Sequence, residues 1–380
     1  MSQFRSLIAV SPLGLMYGSA GGFLSPENLV GRSNSKFPPD AATVAGLIFN
    51  ANREQKFAEH EELKRNLIIA GPFWAKRDQP TRFYVPIPWH RIIAEKEQDE
   101  WILVDKQSNS QTANELDNRK WCLNQQKWQR YNKDLKPAYF WQSIDAWDTP
   151  IDELREREAI AKPPWEPVSF LHPKIKHEER HVVDRDGLFL ENAIQISEDH
   201  CLVYLSNLDQ ILVNGWYRLG GEGHLVEVES YPLSDKHKIN RLLHPKINYA
   251  CALITPGVWG SNKHSYRYPN HSAFPKQDLK MLMDKAVPYR YRIGQSRKDE
   301  DGETGDRYNS EKTGRLSRGR YAVPAGSVYV FKQPLNQNWW DFPNEWFPKE
   351  GFPLKHLGCG LCLPIDIQGV PECTTKLTAS

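Results

Sequence analysis

The sequence predicts an α+β fold, and three observations carry that expectation. Short apolar runs bounded by turn residues read as buried strands in both halves of the chain. Near the N-terminus a helical period of apolar residues falls between two of those runs. The 380 residues are 39% hydrophobic and include thirteen Trp, fifteen Phe and fifteen Tyr, more large rings than a disordered polar chain carries. That length suits about two domains, and 27 prolines predict many irregular connections between elements.

Residues 6–10, Ser-Leu-Ile-Ala-Val, form the first expected strand, and a glycine-rich stretch from Leu13 to Gly22 follows it. Asp40, after Phe37-Pro38-Pro39, can N-cap a helix whose apolar positions Val44, Leu47 and Ile48 recur at helical spacing and which runs to about Gln55. Residues 67–71 and 83–87 predict two more strands, so the first 90 residues read strand, helix, strand, strand, half of a βαββαβ unit. From His90 to about Trp165 the pattern turns polar and Trp-rich, with a helix expected at 151–160 before Pro163-Pro164, and reads as an insertion or a partner-facing region. Strands are expected again at 201–205, 224–229, 248–254 and 327–332, with a helix around 275–285. Residues 294–319, rich in Gly, Ser and charge, predict a mobile loop. The domain boundary falls near residue 170, giving units 1–170 and 171–380.

Composition excludes more than it identifies. A formal charge of +2 does not by itself declare a nucleic-acid binder, so any such surface must come from local clustering. The six cysteines, Cys122, Cys201, Cys251, Cys359, Cys362 and Cys373, are scattered without a secretory leader, which argues for a reducing cytosol over a disulfide framework. No run reaches about 18 apolar residues, so no membrane contact is expected and the location expected is cytoplasmic.

Glycines Gly220, Gly221 and Gly223 lie in the segment Leu219 to His224, ahead of the strand-like Leu225-Val226-Glu227-Val228-Glu229. Three glycines in four positions let a backbone adopt positive φ and bring N–H groups close to phosphate, although a plain hairpin turn has the same composition. Similar turns occur at Gly14 to Gly22 and at Leu357-Gly358-Cys359-Gly360, and none matches a Walker or dinucleotide fingerprint. Residues 285–320 hold ten Lys or Arg against six acids, with Tyr289, Tyr291 and Tyr308 among them; this suits a grip on single-stranded RNA or a solvated charged loop. His177-Glu178-Glu179-Arg180-His181 has the spacing of a zinc-protease helix, but its strand-like flank and nearby Pro173 argue against one. His356, Cys359, Cys362 and Cys373 have knuckle-like spacing, yet Cys359 and Cys362 sit in an apolar setting that suits buried thiols. No nucleophile stands beside a base in a recognisable signature, so neither a catalytic site, a metal nor a cofactor is expected.

Several blocks in matching order carry a resemblance. They are Phe37 to Gly46 (Phe-Pro-Pro-Asp-Ala-Ala-Thr-Val-Ala-Gly), Gly71-Pro72-Phe73, Val85-Pro86-Ile87-Pro88, Glu179 to Asp184 before Gly187-Leu188-Phe189, Gly220-Gly221-Glu222-Gly223, Leu253 to Trp259, and Tyr321 to Tyr329. Together they resemble the third subunit of the Cmr complex, a type III-B CRISPR effector, over nearly the whole chain, departing from it at 90–165 and 294–319. The resemblance implies two ferredoxin-like (RRM-related) domains of the RAMP superfamily. It also implies a non-catalytic role in antiviral defence: binding the repeat-derived 5′ tag of the crRNA and joining the large Cas-ten-type subunit to the first backbone RAMP subunit of the filament. The matching blocks point to Gly220, Gly221, Gly223, Gly358 and Gly360 as RNA backbone contacts, with Arg218 and His224 flanking. Arg315, Arg318 and Arg320 are auxiliary candidates, and the helix start at Asp40 to Thr43 is a lesser anion site. Related folds also host RAMP-type endoribonucleases, and that alternative would use His224 or His181 as general base.

Overall fold

The computed structural model describes residues 3–17, 37–106, 121–173, 175–176, 181–182, 188–209, 212–272, 274, 279–291, 317–350 and 352–371. The fold mixes α and β, with antiparallel sheets dominating and few helices. Its largest element is an eight-stranded sheet built from β1 (Ser6–Pro12), β2 (Ile69–Lys76), β3 (Tyr84–Pro86), β4 (Trp141–Ser143), β5 (Ile160–Ala161), β6 (His200–Ser206), β7 (Gly215–Leu219) and β8 (His224–Pro232). The strand order is β7-β8-β1-β6-β2-β3-β4-β5. β1 lies between β8 and β6, pairing Leu7 with both Tyr231 and Leu205, and six of its seven residues are buried. Such a strand reads as a continuous apolar run, which is how Ser6 to Val10 reads in the sequence.

The helix α1 (Ala41–Gln55) crosses from β1 to β2 and buries Val44, Leu47, Ile48 and Ala51 on one face. Full burial of Val44 and Ile48, each worth about 1.5–3 kcal/mol, outweighs the few tenths of a kcal/mol by which β-branched residues disfavour a helix. The helix ends at Lys56, in the left-handed region, where the Lys56 N–H donates to the Asn52 carbonyl at 2.8 Å. The short helix α2 (His60–Asn66) follows, its first turn capped by the Glu59 carboxylate accepting from the Glu62 N–H at 2.7 Å.

Four strands form a second sheet in the order β10-β11-β9-β12: β9 (Ala250–Leu253), β10 (Leu279–Leu282), β11 (Val328–Phe331) and β12 (Cys362–Pro364). One continuous core joins the two sheets, with Leu7, Val203 and Phe73 from the first and Ala252, Tyr329 and Leu363 from the second. Trp259 anchors the second sheet: its indole N–H donates to the Tyr329 hydroxyl at 2.9 Å, and that hydroxyl donates to the Arg267 carbonyl at 2.7 Å.

Several expectations change. The helix expected around 275–285 is, from Leu279, the strand β10, which pairs Leu279 with Phe331 and Leu282 with Val328; four residues are too few for a period to arbitrate, and the sheet edge decides. The helix expected at 151–160 is α3 (Ile151–Glu156), after which Ile160–Ala161 turn into β5. The region 90–165 is more than an insertion, because β4 and β5 extend the main sheet. The same sheet takes β6, β7 and β8 from beyond residue 170 and places them beside β1 and β2, so the boundary expected there does not separate two sheets. In the second half the helical elements described between β9 and β12 are 3-10 turns alone, at Trp339–Asp341, Asn344–Trp346 and Leu354–Leu357. Most of the loop expected at 294–319 lies outside the described residues, as do Gly18 to Gly22. No helix among the described residues is long and apolar enough to cross a membrane.

Candidate nucleic-acid interface

The glycine segment at 220–223 is the turn of the β7-β8 hairpin. Leu219 and His224 form the last cross-strand pair, and the Gly223 N–H closes the turn on the Gly220 carbonyl at 3.3 Å. Gly220 at φ +74° and Gly223 at φ +66° occupy the left-handed region, so glycine is required there for the chain to reverse. Gly221 differs: its φ is ordinary, and a Cβ built on it would meet no atom within 4 Å. The turn is exposed, and among the described residues the N–H groups of Gly221 and Glu222 have no acceptor. Two N–H groups left to solvent, one of them on a glycine without a Cβ, can meet an anion that a bulkier side chain at Gly221 would hold away.

The fold places this turn beside the start of α1. A Cβ on Gly220 would lie 3.6 Å from Thr43 Cγ2, in the helix's first turn. That turn contains no acidic residue, and although the Thr43 N–H already donates to the Asp40 carbonyl at 2.8 Å, the positive end of the helix dipole lies next to the hairpin. Tyr204, on β6, fixes the helix entry by donating its hydroxyl to the Pro39 carbonyl at 2.6 Å; complete burial holds that phenol well above its ordinary pKa. The glycine turn and the helix start, separate candidates in the sequence, are therefore neighbours in the fold.

The flanking residues divide. Arg218 is exposed and reaches back along the turn, its Nη1 3.4 Å from the Gly223 carbonyl, which keeps a guanidinium next to the exposed N–H groups. His224 is an anchor: its Nε2 lies 2.9 Å from the Tyr17 carbonyl and 3.2 Å from the Tyr17 N–H, and the two rings are stacked at 5.9 Å. These contacts hold one ring nitrogen of His224 on the backbone of Tyr17. Glu222 and Asp40 offset Arg218, so anion attraction here falls to backbone N–H groups and the helix dipole rather than to net side-chain charge.

Gly358 and Gly360 are not part of this surface. Both are buried, Gly358 donating to the Lys355 carbonyl and Gly360 to the Pro256 carbonyl, each at 2.9 Å. A Cβ on Gly358 would lie 2.4 Å from the Ala70 Cα, and one on Gly360 2.3 Å from the Trp259 ring. The Thr255 hydroxyl donates to the Gly358 carbonyl at 2.6 Å, and the Lys355 amine donates to the Trp340 carbonyl at 2.8 Å. Burial pulls that amine down to about 8. These glycines let a turn press against β2 and Trp259, and their expected RNA contact is corrected to a packing role. A similar correction applies to Arg320, whose side chain is 4% exposed and pairs with Glu350 at 3.1 Å while donating to the Ser261 carbonyl at 3.0 Å. Arg318 is exposed but donates to the Asn262 carbonyl at 3.0 Å, and Arg315 lies outside the described residues.

The alternative zinc motifs resolve differently. Cys359 bonds the Tyr289 hydroxyl at 3.4 Å, and Cys362 lies against Cys251, where burial holds its thiol well above the ordinary range. That burial disfavours the Cys362 thiolate a metal would need. Cys373 and residues 177–180 of the HExxH segment lie outside the described residues, and Ile175 bridges Val182 in antiparallel fashion.

Residues 15–365 match the family described as CRISPR-associated protein (Cas_Cmr3). Among curated protein sequences none matches the chain. Similar solved structures include a chain of the Type III-B Cmr-beta complex bound to cognate target RNA and AMPPnP, with 13% identity, 86% of each chain covered and a TM-score of 0.42. A chain of the Csm3-Csm4 subcomplex from the type III-A CRISPR-Cas interference complex is 14% identical, over 87% of this chain and 94% of that one, at a TM-score of 0.36. A chain of the Csm1-Csm4 cassette in complex with pppApA is 10% identical, over 88% and 98%, at 0.34.

Proposed function

The chain belongs to the Cas_Cmr3 family of CRISPR-associated proteins, and from that premise we propose that it is a non-catalytic RNA-binding subunit of a type III effector. It holds the 5′ repeat-derived tag of the crRNA and joins the large subunit to the first backbone subunit. The observation that carries the reading is the exposed turn at Gly220 to Gly223, with two N–H groups lacking acceptors among the described residues, Arg218 alongside and the start of α1 against it. Backbone N–H groups read a phosphate by position, without regard to base, which suits a subunit that must seat the same RNA end whatever guide follows. Tag preference would then come from RNA shape and neighbouring stacking contacts.

The strand order β8-β1-β6-β2, with α1 crossing between β1 and β2, supports a ferredoxin-like core in the first sheet. In that reading the edge strand β7 takes the place in chain order of the second helix of a βαββαβ unit, and its hairpin with β8 makes the glycine turn. The chain assembled with the large subunit should bind a guide carrying its 5′ tag at least tenfold more tightly than one whose tag is scrambled. Equal binding would end the tag-specific reading. Incubation of the chain alone with repeat RNA should leave the RNA intact, and discrete products lost in His181→Ala would establish the endoribonuclease instead.

A further inference from the structure

An open cleft of about 720 Å³ lies between the 89–137 region and the edge of the second sheet. Its size falls within the roughly 300–1,000 Å³ of small-ligand sites. Two half-buried indoles, Trp89 and Trp101, line it together with Leu282 and Met283 at the end of β10. Three cations, Arg130, Lys133 and Lys136, stand around these apolar surfaces against one carboxylate, Asp134, and both lysines are exposed.

The wall bearing these charges is held in place before any ligand arrives. The Arg130 guanidinium lies over the Trp101 ring at 5.0 Å from its centre. Its Nη2 donates to the carbonyls of Lys133 and Leu135, the latter at 3.1 Å, and the Asn132 N–H donates to Asp99 at 2.8 Å. The Trp89 backbone N–H donates to the Gly326 carbonyl at 2.8 Å, and its indole packs against Gly326, where a Cβ would lie 3.0 Å from the ring Cδ1. The Trp101 ring under Arg130 and the Trp89 ring against Gly326 are thus both packed while they still line the cleft, so little ordering remains for a ligand to impose.

We propose that this cleft takes an unpaired nucleotide of single-stranded RNA, with the base against the indoles and the flanking phosphates on Lys133 and Lys136. Fixed aromatic faces with adjacent cations are what sequence-tolerant single-strand binding uses. An acidic peptide would engage the cations and leave the indole surfaces with nothing flat to cover them. The inference rests on the RNA-binding reading above but concerns a different surface, formed by none of the residues of the glycine turn.

The test uses the full chain and an eight-residue oligouridylate, without any tag, that carries 4-thiouridine. Ultraviolet crosslinks should map by mass spectrometry to peptides containing Trp89, Trp101 or residues 130–137. The Lys133→Glu/Lys136→Glu variant changes two exposed side chains and should keep the melting temperature of the parent while binding the oligomer at least tenfold more weakly. Crosslinks confined to residues 215–224, or none at all, would overturn the proposal, as would a folded double variant with affinity within twofold of the parent. Crosslinks in the cleft support it even if tag preference fails, so the two readings fall separately.

Discussion

Gly221→Val separates binding from folding at the glycine turn. A Cβ at this position meets no atom within 4 Å, and the φ lies outside the left-handed region. Folded stability should therefore change by no more than about 0.5 kcal/mol, as for an ordinary surface substitution. In the complex, the branched side chain stands beside the N–H groups of Gly221 and Glu222 and holds a phosphate away from both. A hydrogen bond to a charged group is worth about 1.5–3 kcal/mol, so losing one contact weakens guide binding roughly 10- to 150-fold. The neighbouring Gly223→Val makes the comparison informative. Its φ of +66° costs a non-glycine residue about 1–2 kcal/mol, and its Cβ would lie 3.6 Å from Arg218 Nη1, so that variant loses stability as well as affinity. Thermal melts of each chain, with fluorescence anisotropy of a labelled tagged guide against the chain plus the large subunit, measure the two effects. A Gly221→Val protein with parental melting and guide affinity within twofold of the parent would refute the argument.

Three further outcomes follow from the geometry. Arg218→Ala should reduce the slope of log affinity against log salt by about 0.7, the share of one phosphate contact on a single strand, and should weaken binding evenly across guide sequences; an unchanged slope would place Arg218 off the RNA. Arg320→Ala should cost about 3–5 kcal/mol in urea unfolding, because it strands the buried Glu350 carboxylate, while the protein that remains folded binds guide as before. His90 is wholly buried, neither ring nitrogen has a hydrogen-bond partner among the described residues, and burial followed by the neighbouring Arg91 charge holds its pKa well below 6.5. The unfolded chain therefore takes up a proton that the folded chain refuses. Stability should fall by roughly 1 kcal/mol for each pH unit below about 6.5, and the fall should be shallower in His90→Leu when urea midpoints are compared at pH 7.5 and 5.5.

The strands buried at the centre of the main sheet were legible because β1 and β6 write their burial as unbroken apolar runs, and α1 because Val44, Leu47 and Ile48 repeat at 3.6 residues. Short edge elements were not. β4 is Trp-Gln-Ser and β5 is Ile-Ala, too brief for any period, and they exist because β3 offers an open edge. Leu279-Lys280-Met281-Leu282 suits a helix as well as a strand until β11 is beside it.

The candidate site was half legible for a related reason. Leu219-Gly220-Gly221 and Leu357-Gly358-Cys359-Gly360 look alike on paper, and Gly220, Gly223, Gly358 and Gly360 all adopt positive φ. What separates them is tertiary: open space around Gly221, against Ala70 and Trp259 packed onto the other pair. Arg318 and Arg320 likewise differ in surroundings, since Arg320 opens a short strand, Arg320–Ala322, whose first and last positions face inward. The aromatic cleft had a compositional trace in the Trp-rich stretch after His90, but its completion by Leu282 and Met283 depends on a contact between segments about 150–190 residues apart in the chain.

The most direct measurement is the structure of this chain in its assembled effector with guide RNA. A phosphate oxygen near the guide's 5′ end should lie within about 2.7–3.2 Å of the Gly221 or Glu222 nitrogen, with Arg218 alongside and the start of α1 facing the same phosphate. A guide whose 5′ end is held elsewhere, with the turn at Gly220 to Gly223 facing solvent or a protein neighbour, would contradict it.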